Sequence, residues 1–413
     1  MREKRFDFIE GMRGVAAMMV FITHYCSAFL PAFARVKGSP THFSWETHLS
    51  HSPLFALING ATAVYMFFLM SGFVLAGSFS RSRLGAFRQI VKRLIRLYPP
   101  VVASVFCALI LLWLIPSAHI EAARETGSVW LSGLSLVNFT ARAMLGDALL
   151  SSMIGGYGGI SRFGHIDLLA RLVPLTPVSV AANIPLWSLH AEFWGSVLLA
   201  VLSSLYPTSC RAIFWAVFVS LFFIMGTSEY SLFLIGFFAY LRRHSLIVER
   251  SWTGSAIGIS LASAGVWLSF CPTMGIFTTL LSGARRFTLM NTAAPALLQV
   301  EVSALLFMAA VCITPSIRNL LEKRILMWLG KISFGLYLTH FPVLFTVSSL
   351  LFSALAQRMS YGFAVFCTSA AALPISLAYA SVFQRFVDRP SVDASRHLSS
   401  LRLHANRGME DTV

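Results

Sequence analysis

Three ionisable residues, Glu10, Arg13 and His24, interrupt an apolar run near the start of the chain. Wound as a helix at ~100° per residue, they fall within an arc of about 60°. A charge at the centre of a membrane helix costs about 2.5–3.5 kcal/mol and normally faces a protein interior or a wet cavity. The stripe is therefore predicted to point into a bundle. His24 lies ~16 Å along the axis from Arg13 at 1.5 Å per residue. That spacing puts the guanidinium near one membrane edge and the imidazole near the midplane. An imidazole there can abstract a proton near neutral pH; it can equally do no more than hydrogen-bond another helix.

A second group is basic. Arg81, Arg83, Arg88, Lys92, Arg93 and Arg96 crowd one loop, about 78–97. Arg93 and Arg96 share a face if helical, and a forked guanidinium pair suits a phosphate-rich ligand. Attraction to anionic membrane lipid is the plainer reading. Ser71 and Gly72 are small enough to admit a helix or a cofactor closely. Glu192 sits about one turn into an apolar segment opened by Trp187, Ser188, Leu189, His190 and Ala191. It could orient a His, bind a hydroxyl or cap another helix, and it should lie distant from His24 unless its own helix dips inward. His340 is a second intramembrane imidazole, read as structural or substrate-lining. His42, His48 and His51 lack the thiol or carboxylate pattern that would complete a metal site, so no metal is expected.

The elements that must hold these groups are membrane helices. Of 413 residues, 56% are hydrophobic and 12% charged, about half the charged share of an ordinary soluble domain. Apolar runs recur at about 8–30, 56–77, 98–116, 186–205, 212–226, 229–241, 252–270, 297–314, 325–350 and 361–384. The pattern predicts an all-α, polytopic membrane protein with about ten transmembrane helices and both termini cytoplasmic. It forms one membrane domain over 1–390. A long extracytoplasmic or re-entrant segment occupies about 117–185, and a polar cytoplasmic tail, 391–413, should be disordered from near Asp388 onward. The chain carries 32 Lys+Arg against 17 Asp+Glu. Under the ten-span scheme 23 of the cations fall on the cytoplasmic side and 9 on the other, as positively charged inner loops require. That accounts for the basic composition without nucleic acid. Asp7, Glu10, Arg13 and His24 argue against reading the first run as a cleaved signal peptide. The six cysteines form no CxxC pair and are read as packing residues.

Taken together the motifs resemble the acyltransferase 3 family of integral-membrane acyltransferases that modify cell-surface glycans and related molecules. The residues are Glu10-Gly11-Met12-Arg13-Gly14 with His24, Phe67 to Phe73, and Arg93-Leu94-Ile95-Arg96-Leu97-Tyr98-Pro99. They continue with Trp187-Ser188-Leu189 and Glu192, Ile332 to Leu338 with His340, and Phe386-Val387-Asp388-Arg389-Pro390. Glu10 stands where the family more often has Asp, Asp388 where Glu is common, and Glu192 is a single acid where many members have two.

The resemblance implies transfer of an acyl group, most simply acetyl from cytoplasmic acetyl-CoA, to a hydroxyl of a glycan or small-molecule acceptor on the outer side of a bacterial inner membrane. His24 is then the base or a covalent relay, supported by Arg13, Glu10 and Glu192. Arg93, Arg96, Ser71 and Gly72 face the donor, and Trp187, Ser188, Tyr337 and His340 face the acceptor. A transporter or flippase could use the same intramembrane charges to line a path, but the chain lacks the paired halves typical of such folds.

Overall fold

Each of the ten apolar runs is helical in the computed structural model. It describes residues 6–80, 85–133, 140–158, 175–206, 211–226, 228–247, 252–284 and 294–397. The helices are α1 (Asp7–Phe29), α2 (Gly60–Ser80), α3 (Ala86–Leu114), α4 (Trp187–Leu205) and α5 (Arg211–Met225). They continue as α6 (Glu229–Leu241), α7 (Trp252–Phe270), α8 (Pro295–Ile313), α9 (Arg324–Val343) and α10 (Tyr361–Phe383). Seven helical stretches, those built on α2, α3, α4, α7, α8, α9 and α10, are long and apolar enough to cross a membrane. The apolar α5 and α6 are shorter, and α1 carries the charged stripe. No strand occurs among the described residues beyond one isolated bridge between Gly158 and Pro177. The protein is an all-α polytopic membrane protein.

Small residues set the closest crossings, as expected where lipid supplies no hydrophobic drive between helices. On α1, a Cβ at Gly14 would lie 2.6 Å from the Gly330 nitrogen of α9, and one at Gly330 would collide with the Glu10 carbonyl. On α2, Gly72 meets the Phe233 backbone of α6, whose Gly236 returns against Leu69 and Gly72. The first seam runs α1 and α9 in parallel, Gly14 against Gly330 and His24 against His340. Ten residues past Gly14 comes His24, and ten past Gly330 comes His340.

Two helices run further than their apolar segments. The basic stretch expected as a loop forms the opening turns of α3, which spans 29 residues with Pro99 and Pro100 inside it. The reason is charge compensation: Arg93 pairs with Glu192 and Arg96 with Asp388, so both cations can turn into the bundle. At the other end, α10 passes through a π-helical turn at Gln384–Asp388 and stays helical to residue 397. This corrects the expectation of a disordered tail from Asp388, which is buried against Arg96. Residues 398–413 of that tail lie outside the described residues, as do Arg81 and Arg83 of the basic group.

Helix α9 carries Pro342 and then a π-helical turn at Leu344–Ser348 before continuing over Ser349–Ala356. Proline has no N–H, so the Leu338 carbonyl one turn back loses its helical donor. Asn183 supplies the replacement, its Nδ2 donating to Leu338 O at 2.8 Å. Asn183 closes the long 117–185 segment, whose described parts pack on the bundle as short helices, including Ala118–Thr126 and Val129–Ser132. Within it the buried Asp147 carboxylate accepts from the Tyr157 hydroxyl at 2.7 Å and the Ala182 N–H at 2.9 Å. Burial raises the Asp147 pKa, and these two donors oppose the rise.

Candidate active site

The stripe on α1 faces α9, and its members serve two neighbouring sites. The first is a cavity of about 160 Å³ between α1, α2, α3, α4 and α9. Arg13, Ser71, Arg93, Arg96, Ser188, Glu192 and Tyr337 all line it. One Glu192 oxygen, Oε1, accepts from Arg93 and, at 2.8 Å, from the Ser71 hydroxyl. Arg96 pairs with Asp388 and lies over the Phe334 ring, 5.1 Å from its centroid. No carboxylate among the described residues pairs with Arg13. Three guanidiniums against two carboxylates leave the site with a net positive charge. The buried Nε of Arg93 also has no hydrogen-bond partner. A buried cation with a free donor suits an anionic ligand. The volume is below the ~300–1,000 Å³ usual for whole drug-sized ligands, so it fits part of a larger molecule.

The second site lies further along α1 and α9. His24 Nδ1 is 2.8 Å from His340 Nε2. Trp130 covers the His24 ring at 5.4 Å and 17°, and Phe341 meets it edge-on at 5.8 Å. His340 is buried, whereas His24 keeps partial exposure. Tyr337 joins the two sites. It lines the cavity, and its ring is 6.0 Å from that of His340. Its hydroxyl donates to Pro185 O at 2.9 Å and lies 2.6 Å from Ser188 Oγ.

A family model for an acyltransferase domain, that of acyltransferase 3, matches residues 6–380. The chain belongs to the acyltransferase 3 family. No curated protein and no solved structure matches it. The match spans nearly the whole chain, so the cavity and the histidine pair both belong to a membrane acyltransferase.

Within this acyltransferase 3 protein the expected residues divide unevenly. Arg13, Ser71, Arg93, Arg96, Ser188, Glu192 and Tyr337 converge on one cavity, while His24 and His340 converge on each other. Glu192, expected to be distant from His24 unless its helix dipped inward, lines the cavity, where it bonds Arg93 and Ser71. Asn183 anchors the entry to α4 at Leu338. Three residues join neither group. Glu10 packs its backbone and Cγ towards Gly330, ~21 Å from His24 by helical rise. Gly72 is a crossing point for α6. Trp187 is half-buried against the main core. The arginines each hold a protein carboxylate, so they are less free for phosphate than their spacing suggested. Asp388 and Trp130 were not picked out as site residues from the sequence. Asp388 stood in a quoted motif, but Trp130 lies in a stretch without periodicity. His42, His48 and His51 each bond a backbone carbonyl.

Proposed function

We propose that this membrane acyltransferase is an O-acetyltransferase. It would take an acetyl group from cytoplasmic acetyl-CoA and deliver it to a hydroxyl of an extracytoplasmic carbohydrate or related acceptor, as a multi-pass protein of a bacterial inner membrane. One observation carries the reading. A cationic cavity and a histidine pair sit at two levels of the same helix, with Arg13 at the first and His24 at the second.

The end of the bundle carrying Arg13, Arg93 and Arg96 faces the cytoplasm in this reading, and its surplus positive charge attracts a polyanionic donor. Arg13 and the Nε of Arg93 are the groups left to meet anionic oxygens there. At about 160 Å³ the cavity takes part of the donor, with anionic oxygens against these groups. The donor supplies an activated thioester carbonyl. His24 accepts the proton of the acceptor hydroxyl as its oxygen bonds to the acyl carbon. The carbon–sulfur bond then breaks, and the imidazolium returns that proton to the departing thiolate, which leaves as a thiol. General-base help of this kind contributes about 10²–10⁴-fold, and positioning two reactants side by side in a closed bundle adds more.

The test is purified protein in vesicles supplied with radiolabelled acetyl-CoA and a glycan extract of the source cells. Alkali-labile label in the glycan fraction supports O-acetyl transfer. Movement of glycan across the vesicle membrane with no incorporated label would overturn it in favour of transport.

A further inference from the structure

We infer that His340 is a positioning residue that fixes the tautomer of His24 and makes His24 Nε2 the basic nitrogen. The inference rests on the reading of His24 as the proton acceptor.

The argument follows the protons from the backbone outward. His340 Nδ1 lies 2.9 Å from the carbonyl oxygen of Leu336. A carbonyl can only accept, so Nδ1 of His340 carries the hydrogen. A neutral imidazole with hydrogen on Nδ1 has its lone pair on Nε2. That Nε2 is the atom 2.8 Å from His24 Nδ1. His24 must therefore donate from Nδ1, which leaves the lone pair of its own Nε2 available. Among the described residues His24 Nε2 has no hydrogen-bond partner and is not one of the buried unpartnered atoms.

The ring geometry agrees. The two imidazoles are within 2° of coplanar, with centroids 5.1 Å apart. That separation matches the N···N distance plus the two ring radii, so the rings meet edge to edge through an in-plane N–H···N bond. Trp130 against the His24 face then limits rotation about the remaining torsion.

The same arrangement serves the charged state. When His24 Nε2 takes the hydroxyl proton, positive charge spreads to Nδ1–H, and His340 Nε2 accepts from it more strongly. No carboxylate among the described residues touches His24. A neutral imidazole thus does the orienting that a carboxylate does in a serine-hydrolase triad, without a second charge at membrane depth.

The experiment compares His340→Phe, His340→Gln and His24→Ala in membrane vesicles carrying endogenous acceptor, with radiolabelled acetyl-CoA as probe. Phe fills the volume but cannot accept. It should lower kcat about 100-fold or more with KM for acetyl-CoA unchanged. Gln can accept from His24 Nδ1 through its carbonyl and should recover about tenfold over Phe. Equal losses in Phe and Gln, or a loss confined to KM, would mean a merely structural role and overturn the inference. So would full activity in His340→Phe while His24→Ala is dead. Full activity in His24→Ala fails the proton-acceptor reading itself, a separate outcome.

Discussion

Arg93 and Glu192, on α3 and α4, form an ion pair whose shared oxygen also receives Ser71 from α2. Three helices are thereby tied at one carboxylate, at the wall of the cavity. The pair does two things at once: it lets a guanidinium enter the bundle, and it keeps that guanidinium from folding back to the surface.

Removing one partner should therefore harm more than removing both. Breaking a fully buried pair costs about 3–5 kcal/mol, because the other charge is left behind; partial exposure of both side chains reduces that here. Glu192→Gln and Arg93→Met should each lower the melting temperature in detergent, and the Arg93→Met/Glu192→Leu double variant should recover part of the loss. All three should lose transfer activity. A double variant less stable than either single change would contradict the pairing.

Asn183 and Pro342 should be coupled through Leu338. Asn183→Ala leaves the Leu338 carbonyl without a donor, costing about 1–3 kcal/mol. Pro342→Ala restores a backbone N–H at the missing position, so the double variant should lose less than Asn183→Ala alone. A double-mutant cycle on melting temperature measures this coupling, and strict additivity would mean that the asparagine serves another purpose.

His24→Ala should abolish transfer while leaving protein level and acetyl-CoA binding intact. His24→Gln retains some hydrogen bonding but cannot take up a proton, so it should be equally inactive. Substantial transfer by the Gln variant would make the residue a strut instead of a base.

The orientation of the bundle is open to direct labelling. A side chain at Gly85, where α3 begins, meets nothing within contact distance. Gly85→Cys, in a background with all six cysteines replaced, should react with an impermeant maleimide in inverted vesicles and not in intact cells. Reaction in intact cells would reverse the assigned sides.

The helices were legible in the sequence because hydropathy is a local signal. All ten runs became helices, and the stripe of Glu10, Arg13 and His24 does face inward, towards α9. The partners of those residues were less legible. Arg96 and Asp388 are 292 positions apart, and no spacing rule links them. The six cations before Tyr98 hid the start of α3, because composition there reads as a solvated loop until the compensating acids are known. His340 was visible as an unusual residue, but its role depends on Leu336 O and His24 Nδ1 together, which is a three-dimensional fact. Glu10 was legible in both respects: it shares the stripe, and helical rise alone already puts it ~21 Å from His24.

The seam at Gly14 and Gly330 gives the histidine pair a mechanical property. Each imidazole stands at the end of an arm of equal length, ~15 Å of helix, and the two arms leave the same joint in the same direction. A thicker or thinner bilayer changes the tilt of transmembrane helices. Tilt imposed on both arms together displaces both rings alike and leaves the gap between them unaltered, as a differential pair rejects a disturbance common to its two lines. The 2.8 Å contact should therefore tolerate a change in membrane thickness. It stays exposed to one kind of error, a change in the length of one arm alone.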